Sequence, residues 1–340
     1  MILGIQYLRA IAALMVVFHH SRNFFGSYGH ELTNVGTAGV DIFFVISGFV
    51  MAHSTQNFDI NGRFALQASQ FLQNRIVRIV PLYWLALLWA ARDEIINGAI
   101  TLGLVGDFFF IPRFRPPGYV HIWPILVPGW TLNYEMFFYV LFGAAMLTGK
   151  ARYVVLSMTL LTLATLGLFI HSDNALVRFY TSPLPLEFLF GILLYKVRGY
   201  YTGLITRNMA IMVLIIGFVL LAMKIPSPGR FLTYGIPAVF IVGSAIIVFE
   251  NKRLPLLHLL GDASYSIYIT HLFALEFAVY LARLLKLSDP TPMNMVLAFG
   301  MQMIIATIVG VIIHKIVEKP LTAFLRGKMK KRRAKVPALS

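Results

Sequence analysis

The sequence predicts an all-α integral membrane protein of about ten transmembrane helices with both termini in the cytoplasm, and three observations predict it. First, 58% of the 340 residues are hydrophobic and only 13% are charged, whereas a soluble domain carries about 25% charge. Second, the apolar residues fall into runs near the length of about 20 that a helix needs to cross a bilayer core. Third, residues 326–340 carry the basic run "RGKMKKRRAK", which suits a cytoplasmic anchor over anionic lipid. Much of the formal net charge of +15 gathers in that tail, so membrane lipid is an expected partner and nucleic acid is not. No polar stretch is long enough to fold alone, which gives one transmembrane domain, 1–325, followed by the basic tail, 326–340. The absence of cysteine excludes disulfides, thiolate nucleophiles and zinc–thiolate centres, and no metal site is expected. The first apolar run is too long for a signal-peptide core and lacks a small-residue cleavage site after it, so it is expected to be retained.

Ten runs justify the helix count, separated by proline, glycine and polar residues. The first, Ile5 to Phe25, carries Arg9 in its apolar part and the polar stretch "HHSRN", with the pair His19–His20, near its end. The second, Gly39 to His53, is short and carries Asp41 near its start. "QNRIVRIVPLYW" leads into the third, Ile76 to Ile96, with Arg75 and Arg78 at its mouth. The fourth, Trp130 to Thr148, follows "VPG", and the fifth, Val154 to Ile170, follows "GKAR". The sixth, Leu184 to Val197, is again short, and "PSPGR" divides the seventh, Met209 to Ile225, from the eighth, Leu232 to Phe249. Asp262 supplies an N-cap signal for the ninth, Ser264 to Leu285. The tenth, Met295 to Val317, runs into "VEKPL", where Glu318 and Pro320 read as its end. An even count puts both termini on one side, and the basic tail makes that side cytoplasmic.

Within the first helix, eleven residues make almost three turns and rise about 16 Å, so Arg9 and His20 share a face while His19 points about 80° away. Ionisable groups in a span normally face a polar cavity, which makes both functional candidates; the alternative is that Arg9 reaches the cytoplasmic interface and the histidines close the outer end. At the depth of His20 the sequence also places Asp41, Glu135 of "PGWTLNYEMFFY" and Glu187 of "PLPLEFLFGILL". A carboxylate beside an imidazole fixes its tautomer and stabilises the imidazolium of a general base; the alternative is that these carboxylates pair with arginines to hold helices together. Gly48, seven residues after Asp41, lets a helix or substrate approach closely. Arg75 and Arg78 suit phosphate recognition by forked hydrogen bonds, or simple positive-inside anchoring. His271, at the end of "GDASYSIYITH", is a second reactive imidazole or a packing residue. The long outer loop from Arg92 to Gly129 is a lid, a binding surface or an interfacial aromatic belt.

The phrases "YLRAIAALMVVFHH", "GVDIFFVISGFVM", "RIVRIVPLYW", "PGWTLNYEMFFYVLFG", "LEFLFGILL", "GDASYSIYITH" and "VEKP" together resemble the acyltransferase 3 family, the membrane enzymes that O-acylate bacterial polysaccharides, and most of all its exopolysaccharide-production branch. The resemblance covers almost the whole chain. It implies an inner-membrane O-acyltransferase that moves an acyl group, acetyl above all, from cytoplasmic acyl-CoA to a hydroxyl of a glycan or lipid-linked saccharide, with no permanently bound cofactor. The family's arginine-x10-histidine pattern falls on Arg9 and His20, which implies His20 as base and Arg9 in donor handling. Asp41, Arg75, Arg78 and Glu135 match further motif positions, so the expected catalytic set is His20, Asp41 and Glu135 and the donor set Arg9, Arg75 and Arg78. Acceptor contacts are expected from Trp130, Glu187 and His271, and from the loop around Arg113, Arg115, Tyr119 and Trp123. Two departures stand out: Ala10 replaces a glycine common in the family, and no esterase-like domain follows, which calls for action alone or with a polysaccharide-assembly partner. Two other readings remain from the residues: a secondary transporter or flippase for a polysaccharide precursor, and a non-catalytic scaffold.

Overall fold

The computed structural model describes residues 2–24, 34–58, 62–115, 121–223, 225, 227–287, 289 and 291–335. Phe25 and Tyr119 lie outside the described residues. In chain order the helices are α1 (Leu3–His20), α2 (Gly39–Ser54), α3 (Phe64–Ala90), α4 (Arg92–Ile96), α5 (Leu102–Phe108), α6 (Gly129–Met146), α7 (Arg152–Phe169) and α8 (Ala175–Tyr180). They continue with α9 (Leu186–Leu204), α10 (Arg207–Met223), α11 (Ile236–Val248), α12 (Pro255–Asp262), α13 (Ser264–Leu284), α14 (Pro292–Ile313) and α15 (Lys319–Lys335). Among the described residues the only strand-like pairing is one isolated bridge, Phe114 to Ile122. A helix lies at each of the ten apolar runs, and six segments are long and apolar enough to cross a membrane: Leu3–His20, Val35–Ser54, Gly149–Phe169, Phe231–Val248, Ser264–Leu284 and Pro292–Lys331. All-helical construction follows from the solvent, because a backbone in lipid must satisfy its own hydrogen bonds.

The chain divides into two compact units. The first comprises Met1–Phe58, Ser157–Asp173 and Tyr180–Val311. At its centre stands α1, whose Gly4, Ala10, Ala12 and Ala13 are all buried; small residues let backbones approach where apolar burial gives helices little reason to associate. On one side α1 packs with α2 and α11 around Leu8, Ile42 and Ile246, and on another with α13 around Val17, Ile267 and Ala274. Its N-terminal end is fastened by polar bonds: Gln6 Nε2 donates to Asp262 Oδ1 at 2.6 Å, and Tyr7 Oη donates to the Lys252 carbonyl at 2.6 Å. Gly48 and Gly191 bring α2 and α9 into backbone contact, since a Cβ on either would collide with the carbonyl of Phe188 or of Val45.

The second unit comprises Asp59–Leu156, Asn174–Phe179 and Ile312–Ser340. In it α3 packs on α6 through Phe71 and Phe142, stacked with centroids 5.0 Å apart. The described part of the long loop is tied together through one carboxylate. Buried Asp107 takes two bonds from Arg113, Nε at 2.9 Å and Nη2 at 2.8 Å, and a third from the Ile125 amide at 2.9 Å. Those bonds to the carboxylate push the Arg113 guanidinium above its ordinary pKa.

Two local expectations are corrected. Asp262 does not cap α13: the N-cap is Ala263, without a side-chain bond, because the carboxylate is drawn to Gln6 and His258 instead. Glu318 and Pro320 do not end the last helix. A π turn, His314–Glu318, resets the ladder before α15, and Pro320 is then the second residue of α15, where a missing N–H costs little.

Candidate active site

The site begins at the C-terminal turn of α1, where His19 and His20 diverge. Arg22 donates to His19, with Nη1 3.2 Å from Nε2, while His20 turns toward α13. His20 Nδ1 lies 2.9 Å from the Val16 carbonyl and 3.3 Å from His271 Nε2. His271, fully buried, places its own Nδ1 2.6 Å from the Tyr268 carbonyl. A carbonyl oxygen only accepts, so each Nδ1 carries its hydrogen. It follows that His271 Nε2 presents a lone pair to the His20 Nδ1–H, and that His20 Nε2 is left with a lone pair of its own. No bond to that nitrogen is present among the described residues, and His20 lines a cleft of about 480 Å³. This is the arrangement of a general base: one nitrogen anchored by acceptors that stabilise an imidazolium, the other open. Position in the last turn of α1 adds the negative end of a helix dipole. Arg9 stands eleven residues below on the same helix, half-buried.

Asp41 and Glu187, both in the first turn of their helices and both fully buried, form a separate group in the same unit. Asp41 accepts from Arg230 Nε at 2.9 Å and Nη2 at 2.6 Å, and Nη2 also reaches the Thr37 carbonyl at 3.0 Å. Glu187 lies against Gly235, at the end of a π turn over Phe231–Gly235. Both of its carboxylate oxygens are buried without a hydrogen bond. Asp41 is thus committed to a guanidinium, and the polar partner of His20 is another imidazole.

The second unit holds the other expected residues. Arg75 lies over the Phe71 ring at 5.6 Å, with its Nε buried and unbonded. Arg78, Glu135, Tyr139 and Arg326 are within electrostatic reach of it. Glu135 accepts a very short hydrogen bond from Tyr139 Oη, and Trp130 meets Tyr134 edge-on at 6.1 Å. Arg78 and Arg326 within electrostatic reach of Arg75 gather three guanidinium groups that suit an anionic ligand. Arg113 is occupied by Asp107.

Comparison with known proteins decides the family. The family model described as an acyltransferase domain matches residues 2–315. The exopolysaccharide production protein ExoZ of Rhizobium meliloti (strain 1021) is 34% identical over 304 residues, covering 86% of this chain and 91% of that protein. The chain belongs to the acyltransferase 3 family. It is accordingly an O-acyltransferase and a multi-pass membrane protein. The acyltransferase MdmB of Streptomyces mycarofaciens is also similar, 30% identical over 40% of this chain and 36% of that protein. Protein 2 in the picA locus of Rhizobium radiobacter matches at 34% over 33% of this chain and 54% of that protein. No solved structure matches the chain.

The contacts that sequence reasoning missed are that of Arg230 with Asp41 and that of His271 with His20. Arg230 carried a signal: a lone Asp41 buried near one end of an apolar helix needs a cation at its own depth, and Arg230 stands immediately before a span. The His20–His271 pairing carried none, because 251 residues separate the two.

Proposed function

We propose that this acyltransferase 3 member transfers an acyl group, acetyl above all, from cytoplasmic acyl-CoA to a hydroxyl of a bacterial exopolysaccharide or its lipid-linked precursor. The observation that carries the reading is the unbonded Nε2 of His20 in the wall of a cleft, with its Nδ1 held by Val16 and His271. His20 Nε2 takes the hydroxyl proton as the acceptor oxygen attacks the thioester carbonyl; the C–O bond forms and the C–S bond breaks. The proton then passes to the departing thiolate, leaving an ester and the free thiol of CoA. Arg9 handles the anionic nucleotide end, and the rise of about 16 Å from Arg9 to His20 matches the reach of a pantetheine arm. Ten spans, cytoplasmic termini and the bacterial inner membrane complete the reading, supported by the helix at each apolar run and the basic α15. The name of ExoZ supports the glycan acceptor. The test is to replace His20 and, separately, His19 by Ala in the host and measure ester-linked acyl groups on surface glycans against inserted protein. His20→Ala is expected to lower acylation by about 10²–10⁴-fold, and His19→Ala by less than threefold. Persistence of acylation without His20 overturns the mechanism.

A further inference from the structure

The cleft beside His20 continues along one stripe of α13. Its lining includes Arg22, Leu272, Glu276, Tyr280 and Arg283. On a helix of 3.6 residues per turn, Leu272, Glu276, Tyr280 and Arg283 fall within about 80° of one another. At 1.5 Å per residue they climb away from the imidazoles, Glu276 about 7 Å and Arg283 about 18 Å above His271. Glu276 is exposed within the candidate span Ser264–Leu284, and neither it nor Arg283 forms an ion pair among the described residues. A carboxylate placed so deep and left unpaired marks a polar path rather than a lipid face.

The chemistry of the stripe is ordered. Next to the base come a carboxylate, which accepts hydrogen bonds from neighbouring hydroxyls, and the Tyr280 ring, 58% exposed, which offers an apolar face to a sugar's C–H bonds. Arg22 and Arg283 give the lining two guanidinium charges against the single charge of Glu276, so one cation is uncompensated. Resting on the reading of His20 as the base of acyl transfer, we propose that this cleft is the acceptor site and that it takes a saccharide bearing an anionic group. Glu276 and Tyr280 hold the sugar whose hydroxyl meets His20 Nε2, and Arg22 with Arg283 holds the anion by forked hydrogen bonds. A volume of about 480 Å³ lies in the range of about 300–1,000 Å³ typical of small-ligand sites. The same anion chemistry comes from the pyrophosphate of a lipid-linked sugar or from an acidic substituent on the glycan.

The test uses the full-length protein in nanodiscs with radiolabelled acetyl-CoA and three acceptors from the host: its lipid-linked oligosaccharides, the same material after mild-acid release from the lipid, and the released material after carboxyl reduction. Arg283→Gln and Glu276→Gln are each expected to raise the acceptor KM about tenfold or more while the acetyl-CoA KM stays within twofold, and Arg283→Lys is expected to recover part of the loss. If the anion is the lipid pyrophosphate, release alone weakens the wild type and abolishes the Arg283→Gln difference. If it is an acidic substituent, release has little effect and carboxyl reduction abolishes the difference. An unchanged acceptor KM in both variants, or equal changes for charged and neutral acceptors, overturns the proposal while leaving acyl transfer intact. Failure of the wild type to acylate any acceptor would instead overturn the functional reading itself.

Discussion

Two polar regions of the first unit are built on opposite plans. Around Asp41 a carboxylate and a guanidinium meet bidentately, with 0% of the Asp41 side chain and 34% of the Arg230 side chain exposed. Around His20, among the described residues, no ion pair engages the ring nitrogens; a carbonyl and an imidazole hold one nitrogen, and the other lines a cleft whose charged residues make no hydrogen bond to it. A buried bidentate ion pair holds helices in register and commits its carboxylate to the guanidinium. Neutral imidazoles hold their geometry while leaving basicity available. The difference separates the geometry of a clamp from the geometry proposed for a base, although both regions read alike as charged residues in apolar helices.

The largest way to break this contrast is to unpair the clamp. Asp41→Asn or Arg230→Gln is expected to cost about 3–5 kcal/mol, read as lost thermal stability and lower inserted protein, with turnover per folded molecule falling much less. An Asn variant of full stability and no turnover would move Asp41 into the chemistry. The next test concerns His271, whose contact with His20 Nδ1 predicts a positioning role. His271→Ala is expected to lower kcat about 10–100-fold with both KM values within twofold, and His271→Gln, whose amide oxygen replaces the acceptor, to recover part of it. A change confined to KM would make His271 a binding group. Smaller again is the tie within the loop: Arg113→Gln leaves the Asp107 carboxylate with the Ile125 amide and is expected to cost about 1–3 kcal/mol in thermal stability. Loss of acceptor affinity at unchanged stability would instead support the sugar-cradling reading of the loop. The smallest effect is expected from Glu187→Gln, less than about 1 kcal/mol, because the amide keeps the shape and neither oxygen has a hydrogen bond to lose, although Glu187 stands within electrostatic reach of Asp41 and Arg230. A large loss of stability there would instead make Glu187 part of the Asp41–Arg230 clamp, and a large loss of turnover would give it a role in the chemistry.

Sequence reasoning reached furthest where a property repeats along one helix. Arg9 and His20 were matched by rotation alone, and His20 was distinguished from His19 by the same arithmetic; the structure turns the two histidines toward different partners. Gly48 was legible because helices that associate in lipid need small residues. The cap at Asp262 and the stop at Pro320 were not, since both depend on neighbours: Gln6 competes for the carboxylate, and a π turn moves the proline to a tolerant position.

By itself, the sequence determined that the chain is helical and apolar enough for a membrane, that a helix lies at each of ten apolar runs, and which ionisable residues share a helix face, because hydropathy and the 100° step are local properties. Only the tertiary structure decided which of those residues meet. Arg230 closes on Asp41 across 189 residues and His271 on His20 across 251. Such pairings follow from how helices pack and from the need of each buried polar group for a partner at its own depth, and no stretch of sequence contains that choice.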